Sequence, residues 1–254
     1  MKSLICALFL AAVLAVPPPV SAQLLPEQRS LDFQNLAALY AKRYAPYDWK
    51  KQALGFDLFD LKPWLDRVAK AKDDLEFFEI EMEYVASLQD THSGFSMNSN
   101  FVASLGMTVD IYDGKVLIDS INRTQLPVGT YSFQIGDEIV SVDGVSSEDW
   151  IQRISKWRKY GNPGTSRRLA AAQITRRTQS NFPRAIEIGP AASVEVRVSS
   201  GALQRYTITW AKTGTPFTTA GPALTDPPLV NVHRILPVRA SSAYIWPSRS
   251  IEPA

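Results

Sequence analysis

The apolar positions between residues 27 and 90 repeat with the 3.6-residue period of α-helices. Pro46 ends the first stretch of this pattern and Gly55 ends a second, shorter one. Asp60 is predicted to cap a third helix, and Asp73 is predicted to open a fourth and longest one. The pattern therefore predicts a small bundle of about four helices.

After a polar, glycine-containing loop at 90–95, the hydrophobic period changes from 3.6 to two, which is typical of half-buried strands. Asp113-Gly114 and Ser200-Gly201 are hairpin signals between such strands. Ser147 is predicted to cap a helix that continues to about residue 157. The predicted strands are residues 105–110, 115–119, 138–143, 193–199 and 203–210.

An insertion at 158–191 separates that helix from the last hairpin, and its residues 165–177 have a helical pattern. It carries four arginines, namely Arg167, Arg168, Arg176 and Arg177. Two interpretations stay open for this cluster. It is either a solvated helix face or a surface that binds acidic groups of a partner.

Residues 1–22 have the pattern of a secretory signal. Lys2 precedes a short apolar run, prolines at 17–19 follow it, and small residues suit cleavage after Ala22. We therefore expect a periplasmic or secreted protein with no membrane span after cleavage. An uncleaved N-terminal anchor is the alternative.

The composition is that of a soluble globular protein, with 45% apolar and 20% charged residues in a chain of 254. Without the signal, 26 basic and 25 acidic side chains remain, so nothing in the net charge favours nucleic acid. Cys6 is the single cysteine and leaves with the signal, which excludes disulfides and thiolate chemistry in the remaining chain. The two histidines stand about 140 positions apart, so we predict no metal site and no cofactor.

Residues 101–211 contain a motif with a known structural role. Gly136, Asp137, Ile139 and Gly144 form the pattern Gly-Asp-x-Ile-x-x-x-x-Gly, about thirty residues after a Ser-Leu-Gly-Met loop at 104–107. This combination resembles PDZ domains. The resemblance implies that the loop turns its backbone N–H groups toward a peptide carboxylate and that the following strand accepts an extended peptide.

In a PDZ domain the helix after the motif would form the second wall of the groove, with Ile151 and Ile154 lining a side-chain pocket. The alternative is that the glycines only permit turns and the isoleucines only fill the core. The predicted peptide-binding residues are Leu105, Gly106, Met107, Thr108, Val109, Ile151 and Ile154.

The order of parts resembles the tail-specific, or C-terminal-processing, serine proteases over residues 27–215. Asp90, His92, Gly94 and Phe95 match a loop that members of this family carry before their PDZ domain. The family places a Ser–Lys catalytic domain after the PDZ domain. Residues 213–254 include seven prolines and no Gly-x-x-Ser-Ala-like setting, so we predict no catalytic residues and a truncated, non-catalytic member.

His92 is the one imidazole near a carboxylate and hydroxyls, at Asp90, Ser93 and Ser96. A catalytic triad needs groups that converge from separate positions, whereas side chains of consecutive loop residues diverge. We therefore predict a structural hydrogen-bonding role for His92.

The expected fold is α+β: a signal at 1–22, a helical domain at 23–98, a PDZ-like β-barrel module at 99–212, and an extended, weakly ordered tail at 213–254. The expected function is the peptide-binding front half of a tail-specific-type protease, with unfolded or C-terminal polypeptide as partner. A stand-alone periplasmic adaptor and an inert remnant are the alternatives. Self-association stays open.

Overall fold

The computed structural model describes residues 23–219 and a two-residue strand at 244–245. It has the predicted α+β architecture, with a helical region followed by a β-rich module. The predicted signal and most of the proline-rich tail lie outside the described residues. None of the described helices is both long enough and apolar enough to span a bilayer.

Four helices form the N-terminal region, as the 3.6-residue period predicts. They are α1 (Pro26–Arg43), α2 (Tyr47–Leu54), α3 (Lys62–Val68) and α4 (Asp74–Ala86). Gly55 ends α2 with a φ of 66°, a left-handed conformation that glycine adopts without steric cost. Asp73 caps α4, because its side chain accepts a hydrogen bond from the Glu76 N–H.

Two details of the helical prediction are wrong. The N-cap of α3 is Leu61 with no side-chain cap, so Asp60 does not hold the helix terminus. The longest helix is α1 with 18 residues, whereas α4 has 13. Acidic residues at the start of α4 mark its beginning correctly but carry no information on its length.

A buried ion pair joins the start of α1 to the start of α4. The Arg29 Nη2 atom lies 3.1 Å from Asp74 Oδ1, and both side chains are almost fully buried. Arg29 Nη1 also donates to the Ala71 carbonyl at 2.6 Å. Around this pair, Phe33, Tyr40, Tyr84 and other apolar side chains fill the core of the bundle. Since each charge is matched by hydrogen bonds, the pair orients the two helices without leaving an isolated buried charge.

The β-rich module contains the strands that the two-residue period predicts, with small shifts at their ends. In chain order the strands are β1 (Ser93–Gly94), β2 (Val102–Ser104), β3 (Met107–Tyr112), β4 (Lys115–Ile121), β5 (Glu138–Val142), β6 (Val145–Ser146), β7 (Arg176–Thr178), β8 (Ala191–Arg197), β9 (Leu203–Thr209), β10 (Ala211–Thr213) and β11 (Tyr244–Ile245).

The main sheet is antiparallel and has the order β3-β4-β5-β8-β9, with β6 paired to β5. A smaller sheet has the order β10-β2-β7, and β1 pairs with β11. Within the described residues, β3 therefore lies at the edge of the main sheet and pairs only with β4.

Two helices and a short 3-10 helix complete the module: α5 (Ser147–Ser155), α6 (Pro163–Thr175) and the 3-10 helix Pro183–Glu187. The cap of α5 is Ser146, whose side chain accepts from the Asp149 N–H, while the hydroxyl of Ser147 donates to the Ile139 carbonyl. The predicted cap is thus one residue late. The predicted insertion helix is α6, which begins two residues earlier than expected.

The helical region and the β-rich module contact each other through one arginine and an aromatic group. Arg184 lies 3.0 Å from an oxygen of Asp73 and 3.6 Å from one of Glu79. Phe78 of α4 packs against Phe95 and Phe217, at ring distances of 6.0 and 5.6 Å. These contacts place the loop after α4 at the junction.

We predict that Arg29→Met lowers the free energy of unfolding by about 3–5 kcal/mol, because it removes the buried guanidinium that pairs with the Asp74 carboxylate. Urea denaturation followed by far-UV circular dichroism measures the change. Lys42→Met on the exposed surface of α1 is the matched control and should cost little. Equal stability of the Arg29 variant and the parent protein would contradict the importance of the pair.

Candidate functional site

The unpaired edge of β3 is the part of the sheet that an extended peptide could join. Asp113 and Gly114 form a two-residue turn with φ values of 47° and 77°, so Tyr112 and Lys115 are a hydrogen-bonded pair. Hydrogen-bonded and non-hydrogen-bonded pairs alternate along an antiparallel ladder. The backbone groups of Val109 and Ile111 therefore point away from β4, toward the edge.

The chain's own acceptors already occupy both ends of this edge. At one end, the N–H of Leu105 donates to the carbonyl of Thr175 at 2.9 Å, at the end of α6. At the other end, the N–H of Ile111 donates to Asp110 Oδ1 at 2.8 Å. Arg168 of α6 binds the same carboxylate at 2.5–2.8 Å. In this state the groove beside β3 is closed.

The helix that contacts β3 is α6, whereas α5 packs against α6 and against strands β5 and β6. Ala170 and Ala171 are completely buried, which lets α6 approach the sheet closely. Ile151 and Ile154 of α5 are also buried, in the core of the module. The structure therefore places these two isoleucines away from the β3 edge, and the neighbouring wall comes from the predicted insertion.

The remaining predicted peptide-binding residues are brought together along β3, but most of their side chains face inward. Leu105, Met107 and Val109 are buried in the core, whereas Thr108 is exposed and its hydroxyl lies 2.6 Å from that of Ser120. Any contact of the three buried residues with a peptide is thus a backbone contact. Their role in binding stays a prediction.

Gly106 has a structural reason to be glycine. Its φ is 81°, and a Cβ at this position would lie 2.7 Å from the side chain of Gln125. Its N–H is already engaged, since it donates to the Ser104 hydroxyl at 3.1 Å. Together with the Leu105 bond to Thr175, this leaves the loop without two of the donors that a carboxylate-binding nest would need.

The four arginines of the insertion do not share one face. Arg167 pairs with Glu148, Arg168 pairs with Asp110, and Arg176 is exposed. Arg177 is 4% exposed. The four arginines therefore form neither one solvated helix face nor one binding surface for acidic groups. Arg177 lies in β7, and its side chain is buried in the core.

The guanidinium of Arg177 lies in an aromatic environment. Its central carbon is 4.1 Å from the ring centre of Trp150 and 5.1 Å from those of Phe182 and Trp210. Its Nε and Nη2 atoms have no hydrogen-bond partner within the described part of the chain. Burial lowers the pKa of Arg177 to about 10, because removal from water disfavours the charged form. Cation–π contacts offset part of this cost.

Hydrogen bonding lowers the pKa of Asp110 from its ordinary value. The largest cause is the bond from Arg168, and the bond from the Ile111 N–H adds to it, against a smaller effect of burial. The carboxylate at the end of the groove is therefore ionised near neutral pH. It holds α6 by charge as well as by hydrogen bonds.

The loop that resembles the protease family lies after α4, and its side chains have defined partners. Asp90 accepts hydrogen bonds from the Tyr44 hydroxyl at 2.8 Å and from the His92 N–H at 2.9 Å. Gly94 lies in β1, and Phe95 packs on Phe78 at the domain junction. Asp90, Gly94 and Phe95 thus fix the loop against the helical region.

Asp90 and His92 converge, which corrects the expectation that neighbouring loop side chains point apart. His92 Nδ1 lies 3.4 Å from Asp90 Oδ1, and the His92 side chain is 80% exposed. The reason is the local turn, in which the Asp90 carboxylate accepts the His92 N–H and so stays beside the imidazole. Sequence spacing gives no signal of this, because it depends on backbone angles.

Burial opposes the ionisation of Asp90, but the bonds from the His92 N–H and the Tyr44 hydroxyl outweigh it and lower its pKa. Tyr44 responds in the opposite direction, since burial and the Asp90 carboxylate raise the pKa of its hydroxyl. The Asp90 carboxylate is therefore a stable anion beside an exposed imidazole.

A cavity of about 420 Å³ lies between α5 and α6. Ile151 forms part of its wall, and the ion pair between Glu148 and Arg167 lies at its side. In the described part of the chain, no three or more His, Cys, Asp or Glu side chains are grouped so that they could hold a metal ion.

Residues 102–216 match the PDZ domain family. A protein of Chlamydia pneumoniae is 24% identical over 186 residues, which are 72% of this chain and 28% of that protein. The structure of mature CPAF complexed with lactacystin superposes with a TM-score of 0.62 and 21% identity, over 74% of this chain and 35% of that one. A photosystem II D1 C-terminal processing protease matches with a TM-score of 0.31 and 16% identity, over 72% of this chain and 43% of that one.

The family match confirms the predicted PDZ domain over residues 102–216, and the superposition with mature CPAF shows a shared fold. The chain spans about a third of the length of the proteins that it matches first. The comparisons therefore establish the fold of the chain.

We predict that Asp90→Asn lowers the free energy of unfolding at pH 7 by about 1–2 kcal/mol, because the amide replaces an ionised acceptor of two hydrogen bonds. The folded pKa of Asp90 is depressed, so its contribution is complete above the ordinary carboxyl pKa of about 4 and disappears as the pH falls through the folded value. In urea denaturation the two proteins should therefore differ most at pH 7, and the difference should shrink as the pH falls below the ordinary carboxyl pKa. A difference that persists unchanged in acid would show that the charge of Asp90 is not responsible.

Proposed function

We propose that the PDZ domain of this chain binds extended polypeptide by strand addition along β3, and that α6 must release the groove first. The observation that carries the proposal is the position of β3, an edge strand of the described sheet whose neighbour is a helix and not another strand. Strand addition to such an edge is a general mode of peptide recognition.

The contacts that close the groove are few and can be exchanged for peptide contacts. The Leu105 N–H and the Ile111 N–H are each satisfied by one acceptor of the chain itself. An added strand would supply carbonyl acceptors to the same donors. The ion pair of Arg168 with Asp110 is the outermost of these contacts, and the Arg168 side chain is 67% exposed, so solvent competes with it.

The preferred ligand is an internal extended segment. A terminal carboxylate would need several donors of the 104–107 loop at once, and the Gly106 N–H stays bonded to Ser104 within the loop when α6 is released. A segment that continues in both directions needs only the backbone groups of Val109 and Ile111, which point toward the edge.

We further propose that the protein acts outside the cytoplasm, where the pattern of residues 1–22 would direct it, as a polypeptide-binding part related to tail-specific proteases. The fold shared with mature CPAF and the PDZ domain match support this role. In this proposal the chain of 254 residues does not cleave peptide bonds by itself. In the alternative, a stand-alone adaptor, the PDZ domain would bind polypeptide in the same way but without an associated protease.

Arg168→Ala is predicted to tighten binding of an extended peptide by about three- to tenfold, because the free protein no longer has to break its contact with Asp110. The probe is a fluorescein-labelled decapeptide of alternating valine and threonine, measured by fluorescence anisotropy. Asp110→Ala, which also frees the Ile111 N–H, should have at least the same effect.

The matched control is Arg205→Ala, which breaks an exposed ion pair with Glu195 on the β8–β9 hairpin and should leave the affinity unchanged. Amidation of the decapeptide should change the dissociation constant less than twofold. A strong loss on amidation would show that a terminal carboxylate displaces the Thr175 carbonyl. Absence of binding by all variants would contradict the proposal and favour a structural role for the PDZ domain.

The geometry of Asp90 and His92 favours a second candidate function, in which His92 is the general base of a hydrolytic site. The carboxylate at 3.4 Å orients Nδ1, and the exposed ring leaves Nε2 available to a nucleophile. The Tyr44 hydroxyl holds the carboxylate in place.

Casein turnover separates the two candidates. The first predicts no hydrolysis by the 254-residue chain. The second predicts hydrolysis that His92→Ala reduces by at least about a hundredfold and that Asp90→Asn also reduces, because both the base and its orientation are needed. Hydrolysis that survives His92→Ala would contradict the second candidate.

A further inference from the structure

Strand β3 presents a carboxylate on the outer face of the main sheet. Burial alternates along the strand, so Val109 is buried whereas Thr108 is exposed and Asp110 is partly exposed. The Asp110 side chain therefore lies on the outer face and not in the core. Its ion-pair partner is Arg168 of α6, the helix that has to leave before a peptide can add to this edge. Strand addition would thus take the cation away from Asp110.

Arg168 contacts Asp110 in the way that a basic side chain of a guest strand would. Its Nε atom lies 2.7 Å from Oδ1 and 2.8 Å from Oδ2 of Asp110, and its Nη2 atom lies 2.5 Å from Oδ2. A guanidinium that donates two hydrogen bonds to one carboxylate makes a strong and geometrically specific pair. Because the Arg168 side chain is mostly exposed, a cation that arrives from solution can compete for the same carboxylate.

The charges that stay on the sheet when α6 leaves favour a basic ligand. Residues 107–121, which form β3, the turn and β4, contain three acids and a single base, Lys115. One of the acids is Asp119, whose carboxylate accepts a hydrogen bond from the Tyr112 hydroxyl at 2.8 Å on the exposed side of the hairpin. The ordinary pKa of a carboxyl group is about 4, so Asp110 stays ionised at neutral pH without Arg168.

The position of the matching guest residue follows from the geometry of the edge. The backbone groups of Val109 and Ile111 point toward the guest strand, so Asp110 between them is a non-hydrogen-bonded position of that pairing. At such positions of an antiparallel pair the Cα atoms are about 4.5 Å apart, and side chains on one face are closest. The guest residue opposite Asp110 therefore brings its side chain to the carboxylate.

We propose, as a specificity that rests on the proposed strand addition, that the β3 groove selects extended polypeptide with a basic residue opposite Asp110. The guest cation takes the place of Arg168, so the ion pair that α6 loses on release forms again with the ligand. Arginine fits better than lysine, because its planar guanidinium can repeat the two hydrogen bonds that Arg168 makes.

The test compares three capped, fluorescein-labelled heptapeptides by fluorescence anisotropy against the full chain. The first is Val-Thr-Val-Arg-Val-Thr-Val, and the other two have glutamine or glutamate at the central position. The arginine peptide should bind about three- to tenfold tighter than the glutamine peptide, because it adds an opposite-charge cross-strand pair. The glutamate peptide should bind weakest, since it places a second carboxylate beside Asp110.

Asp110→Asn should abolish the preference for arginine, while its amide oxygen can still accept the Ile111 N–H. The matched control Glu195→Gln removes an ion-paired carboxylate from β8, which is not a neighbour of β3, and should keep the preference. Arg168→Ala should tighten the binding of all three peptides and keep their order, because the guest residue then has no competitor for the carboxylate.

The comparison of the three peptides on the parent protein does not depend on the folding of any variant. Equal affinities for all three, or a preference for arginine that persists in Asp110→Asn, would overturn this specificity and leave strand addition itself intact. Failure of all three peptides to bind either the parent protein or Arg168→Ala would instead contradict strand addition, and the specificity with it.

Discussion

The structure of the PDZ domain depends on one constraint, which is that strand β3 has no strand partner along one of its edges within the described part of the sheet. An edge strand presents N–H and C=O groups that must find partners, and proteins cover such edges with helices, loops or charged groups. Here α6 covers the edge, supplying the Thr175 carbonyl at one end and Arg168 at the other. The segment predicted as an insertion is therefore an essential wall of the module.

The periodicity of the chain predicts most of the elements but not their neighbours. The hairpin at Asp113-Gly114 and the cap at Asp73 follow from local backbone preferences, so the sequence is sufficient for both. Which helix lies against β3 is a tertiary choice. Both α5 and α6 have a buried face, so the sequence predicts neither of them as the neighbour of β3. The small side chains of Ala170 and Ala171 allow α6 to pack closely against that strand.

At the candidate site, the sequence likewise does not predict which side chains are in contact. Sequence proximity of Asp90 and His92 suggests a loop motif, but only the turn geometry shows that the two side chains meet. Tyr44, which holds the carboxylate, comes from a helix end and reads in the sequence as an apolar position. Arg177 is one of four neighbouring arginines in the sequence, yet it alone enters the core among aromatic rings.

The stretch from the end of α5 to the 3-10 helix joins the β3 groove to the domain junction. Its first part, 157–160, lines a cavity at the domain junction, and its middle part is α6, which closes the β3 groove. Its last part carries Arg184, which binds Asp73 and Glu79 of the helical region. A displacement of α6 is thus opposed at both ends, by Trp157 packed on Phe182 and by the Arg184 ion pairs. Because the helical region holds this stretch in place, the state of the β3 groove depends on the junction as well as on the PDZ domain itself.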